Sequence, residues 1–199
     1  MLAKKLRNIF VAKYVPILSR IEGVRIEEKE IGDDSAEGDP YPQTRGFSFR
    51  ITTPLGYPHD IYYVVFRDTY WGNDRPPRTT VSITEAGEWE IAPQDDAEKL
   101  SSDDWKRFYG RLNLMVARIL MRLAARRLPR AYYLNPKLGI VLRTSGDERT
   151  LSLFIKFTLQ KLHIQYKLGD DEEREIIGDI PSEGDPVDAI LKVMALLTF

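Results

Sequence analysis

Residues 101–128, SSDDWKRFYGRLNLMVARILMRLAARRL, decide how the rest of the chain is read. On a wheel of about 100° per residue, Trp105, Phe108, Leu112, Met115, Val116, Ile119, Leu120 and Leu123 recur at steps of three and four, the spacing of one buried helical face. Both ends are marked. Ser101 and Ser102 offer hydroxyl oxygens to the free amides of a first turn, and Asp103 and Asp104 place negative charge at the positive end of the dipole. Arg126, Arg127 and Arg130 suit the opposite end, and Pro129 stops the helix. A long central helix is therefore expected, with everything else packed around it.

The same wheel brings Arg107, Arg111, Arg118, Arg122 and Arg126 within about 100° of one another, beside the apolar face. Such a stripe has two readings. Its methylenes can cover the edge of the core while the guanidinium groups pair with acids elsewhere in the fold. Alternatively it docks phosphates or an acidic partner, because the guanidinium fork fits two-oxygen groups and stays charged.

Outward from the helix, Leu2, Leu6, Ile9, Phe10, Tyr14, Ile17, Leu18 and Ile21 form another helical stripe, which Pro16 should kink or split after Tyr14. Gly23 ends it. Val24 to Ile31 reads as a half-buried strand, and Gly32 to Gln43, rich in Gly, Asp, Ser and Pro, as a mobile loop. Phe47, Phe49 and Ile51 alternate with polar neighbours, and a turn through Pro54 and His59 leads into Ile61 to Phe66. That run is apolar on both faces and suits a central strand covered on two sides. Asp68 to Arg78 is a loop that either packs Trp71 over one sheet edge as a plug or, with Trp71 and Arg75 as anchors, contacts a partner. Thr79 to Thr84 and Glu88 to Ile91 form a hairpin through Ala86-Gly87.

Beyond the helix, Leu138 to Thr144 and Arg149 to Leu159 flank Ser145-Gly146-Asp147-Glu148 as a third hairpin. Leu151, Phe154, Ile155, Thr158, Leu159 and Leu162 also fit helical spacing, and the strand is preferred because Ser, Thr, Phe and Ile dominate. Leu162 to Leu168 continues the sheet, Ile176 to Ile180 is a short strand, and Asp185-Pro186 opens a final helix with Val187, Ile190, Leu191, Met194 and Leu197 on one face. The expected fold class is α+β, a mostly antiparallel sheet with N-terminal, central and C-terminal helices packed on it. The 199 residues, 43% hydrophobic, suffice for a single domain; any division would separate 1–100 from 101–199.

Composition narrows the chemistry. With no cysteine there are no disulfides, thiol nucleophiles or thiolate metal sites, and only His59 and His163 remain as imidazoles. No Gly-rich phosphate loop, nucleophile elbow or dinucleotide fingerprint occurs, and Glu27 and Lys29, spaced as in some metal-dependent nucleases, lack the rest of that constellation. The residues thus assign no catalytic activity, metal or cofactor. Basic residues interrupt the apolar positions of the amino terminus, and no run approaches the roughly 18 residues of a membrane span, so a soluble cytoplasmic chain without a membrane partner is expected. Charged residues make up 30% of the chain while Asn and Gln are scarce, a thermophile-like balance. The net charge is −1, yet the charges are segregated: from Trp105 to Lys167 fourteen Lys or Arg stand against two acids, a balance of +12, between acidic segments at Glu22–Asp39 and Asp170–Asp188. Folding can neutralise one segment with another or leave a basic face.

The order of elements, carried by Leu2 to Ile21, the strands through Ile83, RLNLMVARIL, GIVLRTSGDERTLSLFIKF and Val187 to Leu197, resembles the type III secretion chaperone-like fold, including the YbjN-type regulators. The resemblance implies noncatalytic binding of partner polypeptides, often as a homodimer. A second stretch, TTPLGYPHDIYYVVFRDTYWGNDRPPRTTVSI, looks like the Tyr-Pro and Pro-Pro region of ubiquitin-conjugating domains; without the cysteine of the active members it implies an inactive adaptor. The expected function is a noncatalytic binding module or chaperone-like adaptor for a protein partner. The alternative is nucleic-acid binding through the basic 105–167 segment, using Arg107, Arg111, Arg118, Arg122 and Arg126, with Trp71 and Arg75 as further contact residues.

Overall fold

A computed structural model describes residues 1–32, 42–72, 75–91, 100–128, 132–135, 139–143 and 150–197. The fold is α+β. In chain order the elements are α1 (Leu2–Lys13), α2 (Val15–Leu18), β1 (Arg25–Ile31), β2 (Gln43–Thr52), β3 (Ile61–Tyr70), β4 (Arg78–Ile83), β5 (Gly87–Ile91), α3 (Ser102–Arg127), β6 (Tyr132–Asn135), β7 (Gly139–Arg143), β8 (Thr150–Phe157), β9 (Lys161–Leu168), β10 (Arg174–Asp179) and α4 (Pro186–Leu197). The strands are divided between two five-stranded antiparallel sheets, ordered β1-β2-β3-β4-β5 and β10-β9-β8-β7-β6. The chain separates into two compact units, residues 1–19 with 23–112, and residues 20–22 with 113–199.

In the first unit, period-two alternation writes the core. Phe49 and Ile51 of β2, Tyr62, Val64 and Phe66 of β3, Val81 and Ile83 of β4, and Trp89 and Ile91 of β5 are buried on one face. Leu2, Leu6 and Phe10 of α1, and Tyr14 just after it, are buried with that face, with Phe10 4.8 Å from Phe49 and 6.0 Å from Phe66, and Phe108 of α3 6.2 Å from Phe66. β3 is the central strand, as expected, but only one of its faces is closed: Tyr63 on the other is 44% exposed. Burial drives the Tyr14 hydroxyl pKa well above the ordinary tyrosine range, with Tyr109 adding to the effect.

Asp68 belongs to β3, which runs to Tyr70, and not to the loop in which the sequence reading placed it. Its carboxylate is fully buried and accepts the Ala3 N–H at 3.1 and 3.3 Å and the Thr79 hydroxyl at 2.7 Å. A strand carboxylate thus caps the positive end of α1, whose own N-cap, Met1, makes no side-chain cap bond. Burial, then the Asp68 charge, raises the Tyr70 pKa, and Arg45 opposes the rise. At the other end of the sheet Arg7 of α1 reaches Glu28 of β1 through two bonds of 2.7 Å, a bidentate pair that raises the Arg7 pKa. Gly46 of β2 is required where it stands, because a Cβ there would lie 2.0 Å from the Phe66 carbonyl oxygen of β3.

In the second unit, Leu153, Ile155 and Phe157 of β8 and Leu162 and Ile164 of β9 are buried, as are Val187, Ile190 and Met194 of α4 and Met115, Val116, Ile119, Leu120 and Leu123 of α3. β8 pairs with β7 on one side and β9 on the other, which settles residues 150–157 as strand: alternate side chains go in while Phe154 and Lys156 point out. Five strands follow the central helix, since Tyr132–Asn135 adds a short one to those expected from the sequence. The Ser145–Glu148 turn, Leu138, Thr144, Pro129 and Arg130, and residues 33–41 of the acidic loop fall outside the described residues.

The helix ends follow the sequence. The Ser101 hydroxyl accepts the Asp104 N–H at 3.0 Å and donates to the Asp104 carboxylate at 2.6 Å, a reciprocal cap for α3. Asp185 caps α4 by accepting the Val187 N–H at 2.8 Å, and its other oxygen accepts the Glu22 N–H at 2.9 Å and Arg127 at 2.7 Å. Glu22 and Asp188 stand 4.0 and 3.6 Å from the same guanidinium.

Candidate docking surface on the second sheet

The five arginines of the α3 stripe have separate fates. Arg107 is exposed. Arg111 is half-buried with its guanidinium 4.5 Å from the Trp89 ring, so its charge rests on an indole face; its Nη1 and the Trp89 Nε1 are buried without a hydrogen-bond partner among the described residues. Arg118, Arg122 and Arg126 each hold an interaction of their own. Ala125, which follows Arg118 along nearly the same line of the helix after about two turns, is fully buried. Of the five arginines, Arg107 and Arg126 are exposed and Arg111, Arg118 and Arg122 half-buried, with the first two residues of the stripe in one unit and the last three in the other. Lys106 sits 3.5 Å from Asp103, both well exposed, and Arg127 is taken by the Asp185 cluster. Trp71, just past the end of β3, is 51% exposed rather than packed as a plug, and Arg75 is exposed. His59 bonds Glu85 at 3.1 Å between two turns of the first sheet. Glu27 and Lys29 share the exposed side of β1, and no group of three or more metal-ligating side chains occurs among the described residues.

A different surface gathers exposed apolar side chains. On the second sheet the register sets Phe154 of β8 opposite Gln165 of β9, and Gln165 opposite Glu175 of β10; in the next row Lys156 faces His163, and His163 faces Ile177. These residues share the face opposite the buried one. Phe154 is 40% exposed and Ile177 55%. Between them the His163 Nδ1 lies 2.9 Å from a Glu175 oxygen, and at the end of the sheet Lys161 and Asp179 are 2.5 Å apart. Phe154 and Ile177 are thus two exposed apolar side chains on one face, two strands and one row apart, with Gln165 and His163 of β9 between them and polar pairs joining the neighbouring strands.

Sequence reasoning did not single out Phe154 or Ile177. The signal was present as a break in alternation: LSLFI has apolar residues at Phe154 and on both sides of it, and Ile176-Ile177 are adjacent, so in a strand one of each set must face out. The chain matches no protein-family model, no curated protein and no solved structure. No helix among the described residues is long and apolar enough to cross a membrane.

Proposed function

We propose that this chain is a noncatalytic binding module, a chaperone-like adaptor that holds a partner polypeptide on the open face of its second sheet. The observation that carries the reading is the exposed pair Phe154 and Ile177, held on adjacent rows of a regular sheet rather than on a loop. A backbone fixed by ladder hydrogen bonds loses little further freedom on binding, and apolar groups already in water gain by being covered. The polar frame of His163, Glu175 and Lys156 gives such a surface hydrogen-bond and charge partners at its rim.

The test is to titrate the isotopically labelled protein with unfolded polypeptides ranging from basic to acidic and to follow backbone amide shifts. Shifts clustered at residues 152–156, 161–165 and 175–177, and lost in Phe154→Ser, support the module. Unchanged spectra with every polypeptide would reject it. Nucleic-acid binding is the second reading, favoured by the exposed Arg107; salt-sensitive anisotropy of a labelled oligonucleotide that disappears in Arg107→Glu would move it ahead.

A further inference from the structure

The far edge of β10 specifies the partner more closely. Among the described residues β10 is the terminal strand of its sheet. The Ile180 N–H donates to the Gln160 carbonyl, so these two opposed residues form a hydrogen-bonded pair. In an antiparallel ladder such pairs alternate with non-bonded ones. Gly178 with Leu162, Ile176 with Ile164 and Arg174 with Tyr166 are then the bonded pairs of β9 and β10. Glu175, Ile177 and Asp179 consequently turn their own N–H and C=O groups away from β9, toward the free edge. Their side chains are the ones on the open face described above.

The edges of the first sheet are guarded. β1 points Glu28 inward, where Arg7 clamps it, and carries Lys29 outward. Trp89 of β5 lies under Arg111. Inward charges and lysines are the usual means by which a strand refuses a neighbour. β10 has neither at its centre: Ile176 and Gly178 face in, and Ile177 faces out at 55% exposure.

Charge selects the occupant. Residues 170–179, DDEEREIIGD, hold six acids against Arg174, and residues 170–175 are exposed; Lys161 meets Asp179 and His163 meets Glu175 across the β9 ladder, and the acids still outnumber the bases along this edge. A phosphate backbone is repelled there. A second copy of this chain is repelled too, because pairing two β10 edges antiparallel about Ile177 sets Glu175 opposite Asp179, and centring the pairing on Ile176 sets Glu173 opposite Asp179. We infer that the free edge of β10 takes an extended basic segment of a partner polypeptide as a sixth strand, with a β-branched residue beside Ile177 and Lys or Arg beside Glu175 and Asp179. The main chain of Glu175, Ile177 and Asp179 supplies the hydrogen bonds, and the alternating side chains supply the selection. This inference rests on the binding-module reading and adds the mode and sign of the partner.

The test uses three fluorescein-labelled peptides of about nine residues, roughly the length of a long strand, with sequence Lys-Thr-Lys-Thr-Val-Thr-Lys-Thr-Lys, the same with Glu for Lys, and the same with Ser for Lys. Anisotropy against the full chain should show the basic peptide binding, the acidic one not, and the neutral one more weakly, with the basic affinity falling on the order of three- to tenfold between about 50 and 200 mM salt. Ile177→Lys and Ile177→Pro should each weaken the basic peptide about tenfold or more, the proline by removing an N–H that faces the free edge while sparing the β9 ladder. Its circular dichroism should therefore match the parent, and Ile31→Lys on β1 should leave affinity unchanged. Equal binding of the acidic peptide, or full affinity in Ile177→Pro with its fold intact, overturns strand addition. If the basic peptide binds and only Phe154→Ser abolishes it, the edge is wrong while the module stands; if no peptide binds, both fall.

Discussion

Replacing Asp68 by Ala should unfold the first unit from the inside. The carboxylate is fully buried and serves two donors, the Ala3 N–H at the start of α1 and the Thr79 hydroxyl on β4. Loss of a helix cap costs about 1 kcal/mol. A buried hydroxyl left without its acceptor adds about 2 kcal/mol more. The expected loss is thus about 3 kcal/mol, on the order of a hundredfold in the folding equilibrium. All three tryptophans, Trp71, Trp89 and Trp105, lie in the first unit, so their fluorescence during urea unfolding reports that unit by itself. With a slope of about 2 kcal/mol per molar urea, the midpoint should fall by about 1.5 M. Thr79→Val removes the donor and should cost about 1 kcal/mol; the double variant should then lose less than the two singles together, because no orphaned hydroxyl remains. A midpoint within about 0.2 M of the parent for Asp68→Ala, or strict additivity with Thr79→Val, would refute the buried-cap account.

Gly46→Ala drives a Cβ to 2.0 Å from the Phe66 carbonyl oxygen, so β2 and β3 must part; a loss of about 3 kcal/mol or more is expected in the same urea assay, and a neutral outcome would contradict the close approach. Tyr14 has a hydroxyl pKa raised by burial, so the unfolded chain releases that proton first as pH climbs past about 10. Stability is then fully present below that pH and declines above it by up to about 1.4 kcal/mol per pH unit for this group. Tyr14→Phe should flatten that alkaline limb in fluorescence-monitored unfolding, and an unchanged limb would remove Tyr14 from the explanation. Asp185→Ala deletes the α4 cap and the shortest of the Arg127 ion pairs, leaving that guanidinium with Asp188 and Glu22, predicting a loss of about 1 kcal/mol and faster amide exchange at the start of α4; protection equal to the parent would show the cap to be idle.

The central helix was legible from sequence because its caps, dipole charges and periodicity agree, and Ser102–Arg127 follows within a residue or so of what they predict. Alternation likewise gave β2, β4 and β5. Tyr132–Asn135 was not seen because four residues carry too little period to register. Asp68 was read as loop for a different reason: an aspartate is a poor strand former, and what makes it fit is a helix amide 65 residues away. The arginine stripe shows the limit of a helical wheel, which fixes angles and not neighbours. Trp89 under Arg111 and the burial of Ala125 come from tertiary structure alone. Phe154 and Ile177 were hidden by the opposite effect, since apolar residues in an apolar run look like core until the register shows which face they take.

Amide hydrogen exchange across β10, measured with and without the basic peptide, tests the account most directly. Free protein should exchange rapidly at Glu175, Ile177 and Asp179 and slowly at Ile176 and Gly178, and the peptide should slow the first three while leaving the other two as they were. Unaltered exchange at Glu175, Ile177 and Asp179 under saturating peptide, or new protection appearing along α3 instead, would contradict a docking edge at β10.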